Sequence, residues 1–171
     1  MTTRQDLIRV LPFGVNDLTV RKWCRDDVER RAAWPPYPQL YSGFNSNLST
    51  MTRSQRDTYF QERDQNPSRI TLTVDHLGQT AVGLVALINI DWAERTVGNM
   101  GVRLHPAWCD RGIGTTMMKL VTTGLFRGGI RCLRLDVAMP NVRALRCYEK
   151  AGFVAGEQFE HDGVLFKWMV L

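Results

Sequence analysis

The hydrophobic pattern near the N-terminus predicts a strand followed by two helices. Residues 7–11 are expected to form the first strand, and Asn16 can cap the helix that follows. The apolar face of that helix is predicted to contain Val20, Trp23, Cys24 and Val28. The sequence WPPYP at 34–38 ends it, since proline breaks helices and restricts the residue before it. A loop rich in aromatic and small polar residues then leads to a second helix over residues 53–64.

The middle of the chain has the alternation that is typical of strands. Three runs, at residues 70–74, 82–90 and 96–104, are separated by turn residues at 76–78 and near Asp91. Short runs with such turns between them predict an antiparallel meander.

The second half alternates helix and strand. Apolar residues at helical spacing predict a helix that contains Ile113, Met117, Leu120, Val121, Gly124 and Leu125. A clean alternating strand follows at 133–137, so a strand, a helix and a strand imply a parallel pair with a right-handed crossover. Asn141 can cap a short helix that reaches Lys150 and stops at Gly152, and residues 153–171 predict a closing hairpin. The expected fold class is α/β, with a mixed, mostly antiparallel sheet and one parallel pair in its middle.

Length and composition favour one globular domain over residues 1–171. The chain is 44% hydrophobic and 23% charged, which is enough apolar material for one core. No stretch looks like a secretion signal, and the longest apolar run, around residues 81–90, is far shorter than a membrane span. We expect a soluble cytoplasmic protein without a membrane partner, either a monomer or a homodimer.

Cysteine spacing and charge narrow the classes of ligand. The four cysteines form no CxxC pair and the three histidines are scattered, so neither a metal site nor a disulfide framework is expected. The net charge of +5 comes from 18 arginines and four lysines spread along the chain. This even distribution favours a polyanionic small ligand over a nucleic acid.

The stretch CDRGIGTT at 109–116 has the chemistry of a pyrophosphate site. Backbone N–H groups at a helix start lack partners, and the helix dipole adds positive charge there. Gly112 and Gly114 remove the β-carbons that would keep a phosphate away, and Arg111 can pair with it. Spacing alone is equally compatible with a tight turn. The stretch lacks the GxxxxGK[ST] pattern of a P-loop and the third glycine of a dinucleotide fingerprint.

A second stretch, NVRALRCYEKAGF at 141–153, identifies the family that the chain resembles. Together the two stretches closely resemble the GNAT superfamily of acetyl-CoA-dependent N-acetyltransferases, whose pattern is R/Q-x-x-G-x-G/A followed by N-x-x-A-x-x-x-Y-x-K-x-G-F. The second motif is complete here, and the motif region 97–153 covers about a third of the chain. The sequence of this motif and the closing strands look similar both to ribosomal-protein N-terminal acetyltransferases and to aminoglycoside 6′-N-acetyltransferases.

The resemblance implies a GNAT fold in which the central parallel strands splay apart and are flanked by helices. In the family, the strand that matches 101–104 pairs with pantetheine, the segment at 111–115 holds the pyrophosphate, and Asn141 bonds the pantetheine arm. Tyr148 matches the residue near the cofactor sulfur and is expected to be the general acid. The implied acetyl-CoA-binding residues are Gly101, Val102, Arg103, Leu104, Cys109, Asp110, Arg111, Gly112, Ile113, Gly114, Thr115, Asn141 and Tyr148. Asn141 is also compatible with a simple helix cap, and Tyr148 with a core tyrosine.

Two positions depart from the family pattern. Cys109 stands where an arginine or glutamine usually opens the first motif. Asn99 stands where many relatives have a glutamate that helps to deprotonate the amine, and asparagine cannot act as a base at neutral pH. A base must therefore come from elsewhere or through water, or the amine must arrive neutral.

The acceptor site is expected at the loop between the first two helices, which walls that site in the family. Its aromatic residues are equally compatible with a lid over the core. The expected substrate-binding residues are Trp34, Tyr37, Tyr41, Phe44 and Asn99.

The function that this resemblance implies is transfer of an acetyl group from acetyl-CoA to a primary amine by direct attack, without a metal. The acceptor is either a small-molecule amine or antibiotic, or a protein N-terminal amine. A catalytically weak CoA-binding sensor or interaction module is the main alternative, because of Asn99 and Cys109. A nucleic-acid binder comes third and rests only on the basic charge.

Overall fold

The computed structural model describes residues 3–37 and 48–171, which form one mixed sheet with helices on both faces. The helices are α1 (Arg4–Arg9), α2 (Arg25–Ala32), α3 (Arg53–Gln65), α4 (Ile113–Arg127) and α5 (Val142–Lys150). The strands are β1 (Phe13–Val15), β2 (Leu18–Lys22), β3 (Ile70–His76), β4 (Gln79–Asp91), β5 (Thr96–Leu104), β6 (Cys132–Ala138), β7 (Val154–His161) and β8 (Val164–Val170).

The strand order is β1-β2-β3-β4-β5-β6-β8-β7. Every neighbouring pair is antiparallel except β5 and β6, which are parallel. The crossover helix α4 joins the two parallel strands, as such a connection requires. The predicted α/β class and the single parallel pair in a mostly antiparallel sheet are both confirmed.

The prediction for the N-terminal segment is wrong. Residues 7–11 belong to helix α1 and its end, because Thr3 and Asp6 form a capping box that starts a helix at Arg4. Asn16 does not cap a helix: it has a φ of 51° in the two-residue turn between β1 and β2. Asparagine tolerates this left-handed conformation, which suits a hairpin turn.

The helix expected after Asn16 is therefore strand β2 followed by the later helix α2. Val20 lies in the strand, Trp23 and Cys24 precede the helix, and Val28 alone of the four predicted face residues is helical. The later elements agree more closely with the prediction, and the strand at 96–104 has the predicted bounds.

Two hydrophobic cores cover the two faces of the sheet. The larger core joins α1, α4 and α5 to the sheet and includes Met117, Val121, Leu133, Leu135 and Met169. The smaller core packs α2 and α3 against β4 and contains Trp23, Val28, Leu48, Leu84 and Ala86. Residues of β4 thus alternate between the two cores, as the period of a strand dictates.

The parallel pair is short and opens at one end. Strands β5 and β6 are paired only at Thr96 with Cys132 and at Val97 with Leu133. Beyond these residues no ladder joins the two strands, so they splay towards their carboxyl ends. Helices α4 and α5 each begin shortly after one of these strands ends. The opening therefore places two helix N-termini beside an unpaired stretch of sheet.

Candidate active site

A cavity of about 560 Å³ lies at the open end of β5 and β6. It brings together the end of β5, the glycine turn, the start of α4 and one side of α5. Its lining residues are Tyr37, Val102, Arg103, Leu104, Cys109, Asp110, Gly112, Gly114, Thr115, Met117, Asn141, Val142, Arg143, Ala144, Arg146, Cys147, Tyr148 and Lys150.

The two glycines of the turn have different structural roles. Gly112 is the N-cap of α4 and has a φ of 79°, a conformation that side chains other than glycine rarely adopt. A β-carbon at Gly114 would lie 3.4 Å from the sulfur of Cys147, on the cavity wall. No side chain caps this end of α4. The first-turn N–H groups of α4 therefore form a positive cradle of the kind that holds phosphate.

Helix α5 supplies a polar and basic wall. The side-chain oxygen of Asn141 accepts a hydrogen bond from the N–H of Ala144 at 3.2 Å, so the cap role is present and uses only the oxygen. Arg143, Arg146 and Lys150 also line the cavity. We did not predict these three cations as site residues. Their spacing of three and four residues along α5 was the available signal, because such residues share one helix face.

Tyr148 is buried in the cavity wall, with 8% of its surface exposed. Its ring lies 6.1 Å from that of Phe153. Burial raises the pKa of Tyr148 well above its usual value, the charge of Asp136 adds to this, and the charge of Arg103 opposes it. The phenol therefore stays protonated far above neutral pH.

Cys109 and Cys147 both line the cavity as free thiols. Burial raises the pKa of both, and for Cys147 a hydrogen bond from Thr115 works against that rise. The sulfur of Cys109 also lies 3.9 Å from the carbonyl oxygen of Leu104. Neither thiol is held as a reactive thiolate.

Comparison with known proteins decides the family. The family model described as the Acetyltransferase (GNAT) family matches residues 30–153, which is most of the chain. The protein belongs to the GNAT acetyltransferase family. The predicted family, the GNAT fold and the assignment as an acyltransferase are thus confirmed.

Several solved structures share the fold of this GNAT protein. A chimera of the Vibrio cholerae spermidine N-acetyltransferase SpeG and hSSAT superposes with a TM-score of 0.78 at 19% identity, covering 91% of this chain and 95% of that chain. The Vibrio cholerae spermidine N-acetyltransferase in complex with CoA and spermine gives a TM-score of 0.76 at 20% identity, with the same coverage. A dodecameric form of that enzyme gives 0.70 at 19% identity, covering 91% and 93%. No curated protein sequence matches the chain.

Five predicted residues that the structure describes in this GNAT domain lie outside the cavity lining, and one of them, Trp34, belongs to the predicted acceptor wall. Gly101 is paired with Ala86 of the neighbouring strand β4. Asn99 donates a hydrogen bond from Nδ2 to Oδ1 of Asp136. Arg111 is exposed, with its guanidinium 5.6 Å from the centre of the Trp108 ring. Ile113 packs against the larger core.

The predicted acceptor wall is only partly within the described residues. Trp34 packs edge to face on His105, with ring centres 5.3 Å apart. The hydroxyl of Tyr37 donates to the carbonyl of Leu104, and burial raises the pKa of Tyr37 to about 12. Both rings therefore pack on the end of β5. Tyr41 and Phe44 lie outside the described residues.

Within residues 3–37 and 48–171, no group of three or more His, Cys, Asp or Glu side chains is placed to hold a metal ion. No helix there has the length and apolar character needed to cross a membrane.

Proposed function

We propose that this protein transfers the acetyl group of acetyl-CoA to a primary amine by direct attack of the amine on the thioester. The observation that carries the proposal is the shared cavity: the glycine turn of α4, the end of β5 and Tyr148 all open onto one space beside the splayed strands. A phosphate cradle and a buried proton donor in one cavity suit an acyl-CoA substrate.

The cavity offers partners to the phosphates and to the pantetheine arm of acetyl-CoA. The first turn of α4 at Gly112 and Gly114 would hold the pyrophosphate, and Arg143 and Arg146 would add charge for the phosphates. The end of β5 would pair with pantetheine. Asn141, whose side-chain oxygen caps α5, still has its amide N–H groups to offer the pantetheine arm.

In the proposed reaction the lone pair of the amine forms a bond to the thioester carbon, and the bond from that carbon to sulfur then breaks. Tyr148 donates to the departing thiolate. Because its raised pKa makes the phenol a weak acid, Tyr148 acts first as a hydrogen-bond donor. The tyrosine proton then passes fully to the thiolate sulfur, and the proton that the nitrogen loses restores the protonated tyrosine. The products are the N-acetyl amine, free CoA and, when the amine enters as an ammonium, one proton released to solvent.

Direct attack is favoured over an acyl-enzyme. A covalent route needs an activated nucleophile beside a base. Burial raises the pKa of Cys109 and of Cys147, which works against a thiolate at either place. Holding the amine near the thioester can supply much of the rate without any covalent step.

The acceptor class is a proposal of its own. The similar Vibrio cholerae structures are those of spermidine N-acetyltransferases, one of them in complex with CoA and spermine. At 19–20% identity, however, the similarity shows the fold alone. We propose a small-molecule primary amine, which would reach the cavity through the opening between the splayed strands. A protein N-terminal amine is the alternative acceptor.

Replacing Tyr148 with Phe tests the mechanism. Tyr148→Phe keeps the ring and removes the donor, so kcat should fall by about ten- to ten-thousandfold while acetyl-CoA affinity stays within a few fold. Thiol release across an amine panel and calorimetry with acetyl-CoA measure the two effects. Tyr59→Phe is the matched control, since Tyr59 lies in the smaller core and outside the cavity lining.

Two results would contradict the proposal. A Tyr148→Phe enzyme with wild-type kcat would show that the role of Tyr148 is structural and not catalytic. A wild-type protein that binds acetyl-CoA and releases no thiol with any amine would favour the CoA-binding sensor instead.

A further inference from the structure

A carboxylate and an amide bridge the parallel strands where they begin to splay. Asn99 lies two residues beyond the last paired residue of β5, and Asp136 lies three beyond that of β6. The Asn99 amide donates to Asp136 across the opening. Oδ1 of Asn99 is buried and has no hydrogen-bond partner among the described residues. A buried acceptor left unpaired costs free energy that an N–H donor entering this site would recover.

Three aromatic rings extend from this pair on the same face of the sheet. Trp168 is directly opposite Asp136 in the β6–β8 ladder, so their β-carbons are about 4.5–5.5 Å apart. Phe159 stacks on Trp168 with ring centres 5.1 Å apart and on Phe166 at 5.5 Å. We call these three rings the aromatic shelf. None of them belongs to either hydrophobic core.

We infer that Asp136 and Asn99, with the neighbouring aromatic shelf, bind the ammonium group of the acceptor. The assignment rests on the proposed acetyl transfer and names the acceptor's subsite within it. A carboxylate attracts an ammonium by charge, the unpaired amide oxygen can accept one of its N–H groups, and aromatic faces attract cations. An alcohol of the same shape gains neither the charge interaction nor the cation–π contact.

The position of Asp136 also suits the reaction. Asp136 lies near enough to Tyr148 for its charge to add to the rise in the pKa of Tyr148 that burial causes. The bound ammonium first releases one proton to solvent, and positive charge returns to the nitrogen as its lone pair bonds to the thioester carbon. A fixed carboxylate beside it stabilises the developing charge. Asp136 thereby supplies an anion close to Asn99, which cannot itself carry charge.

The surroundings of the site favour an acceptor with a single positive charge. Farther along the same face of β5 lies Arg103, and Arg31 is close enough for its charge to lower the pKa of Arg103 after the larger effect of burial. A second ammonium that extends in that direction would meet these cations. The aromatic shelf instead suits an apolar chain. The acceptor class is therefore a monoamine with an apolar chain, such as n-hexylamine, in preference to a polyamine.

Thiol-release kinetics with n-hexylamine, 1-hexanol and spermidine test this site. The wild type should acetylate n-hexylamine with a kcat/KM at least about tenfold above that for spermidine, and should leave 1-hexanol unreacted. Asp136→Asn should lower kcat/KM for n-hexylamine by about a hundredfold, as expected for the loss of one charge-stabilising group. Trp168→Leu should lower it by about three- to thirtyfold.

Glu160→Gln is the matched control, because it removes one carboxylate from an exposed position on the same hairpin. It should leave kcat/KM within about twofold. Calorimetry with acetyl-CoA should give the same affinity in all variants, which shows that each is folded and able to bind acetyl-CoA.

The possible failures are distinguishable. A wild type that does not bind acetyl-CoA would defeat the proposed function itself. Transfer to amines that Asp136→Asn and Trp168→Leu leave unchanged would overturn the acceptor site alone. A higher kcat/KM for spermidine than for n-hexylamine would overturn the single-charge assignment.

Discussion

At the scale of single residues, the glycines of the turn illustrate two separate requirements. Gly112 is needed for its backbone, since its φ is 79° and a β-carbon there would meet no heavy atom within 4 Å. Gly114 has no such backbone constraint. A β-carbon at Gly114 would fit against Cys147 at 3.4 Å, but it would occupy the cavity wall where a phosphate is expected.

Gly114→Ala should therefore separate binding from folding. Alanine is a better helix former than glycine by about 1 kcal/mol, so the melting temperature should stay the same or rise. The added methyl group should lower acetyl-CoA affinity by about tenfold or more, because it keeps the phosphate from the N–H groups of α4. Calorimetry and thermal unfolding measure the two quantities.

Gly156→Ala makes the same chemical change in β7, where the β-carbon would lie 3.5 Å from the carbonyl oxygen of Trp168 and outside the cavity. It should leave acetyl-CoA affinity unchanged. Equal acetyl-CoA affinities in the two variants and the wild type would contradict the assignment of the first turn of α4 as the phosphate cradle.

At the scale of elements, one buried carboxylate attaches helix α2 to the sheet. Asp27 accepts two hydrogen bonds from Arg21, at 2.7 and 2.8 Å, and one from the backbone N–H of Cys24 at 2.9 Å. The hydroxyl of Thr73 donates to it at 3.1 Å. Arg21 also bonds Asp75, so β2, β3 and the start of α2 are tied together.

This attachment predicts an acid-sensitive fold. Burial acts to raise the pKa of Asp27, but the hydrogen bonds from Arg21 and Cys24 outweigh it and hold the pKa at about 2. Because the folded pKa is below the unfolded value of about 4, the stabilisation is complete above about pH 4 and is lost as pH falls towards 2. It should reach at most about 2 kcal/mol.

Asp27→Asn should remove that pH dependence and lower the free energy of unfolding at pH 7 by about 1–3 kcal/mol. Urea unfolding between pH 2 and pH 7 gives both quantities. Asp26→Asn, the same change at an exposed neighbour, should behave as the wild type. An Asp27→Asn protein that lost stability in acid as steeply as the wild type would place the titrating group elsewhere.

At the scale of the whole molecule, the sheet has two parts that meet at a short parallel ladder. Only two residue pairs join β5 to β6. The helices α4 and α5 pack on one face through the larger core, which holds the two parts together beside the opening. The site is therefore a consequence of sheet topology, since it lies where two neighbouring strands stop pairing.

Hydrogen exchange should report occupation of this opening. Acetyl-CoA should slow amide exchange in residues 98–104 and 113–116, because pantetheine would pair with β5 and phosphate with the first turn of α4. Residues 70–76, which pair with strands on both sides, should change little. Protection confined to other segments would place acetyl-CoA outside the cavity.

Most of the fold was predictable because its signals are local. Alternation identified the strand at 96–104, helical spacing identified α4, and Asn141 with Gly152 bounded α5 correctly. The N-terminal prediction failed for a local reason as well. The period of the apolar residues at 20–28 was interpreted as helical, whereas the left-handed conformation of Asn16 turns the chain into a hairpin.

The sequence by itself identified the GNAT family through the resemblance of its two motifs. It also determined the glycine turn and the tyrosine helix, because period, capping and residue type act within a few positions of the chain. Only the tertiary structure decided that Asp136 meets Asn99 and faces Trp168, since strand register brings together residues that are far apart in sequence. It also decided the raised pKa of Tyr148, because burial and the charge of Asp136 depend on packing. The residues of the proposed phosphate cradle lie close together in the sequence, whereas those of the proposed ammonium subsite meet only through strand pairing.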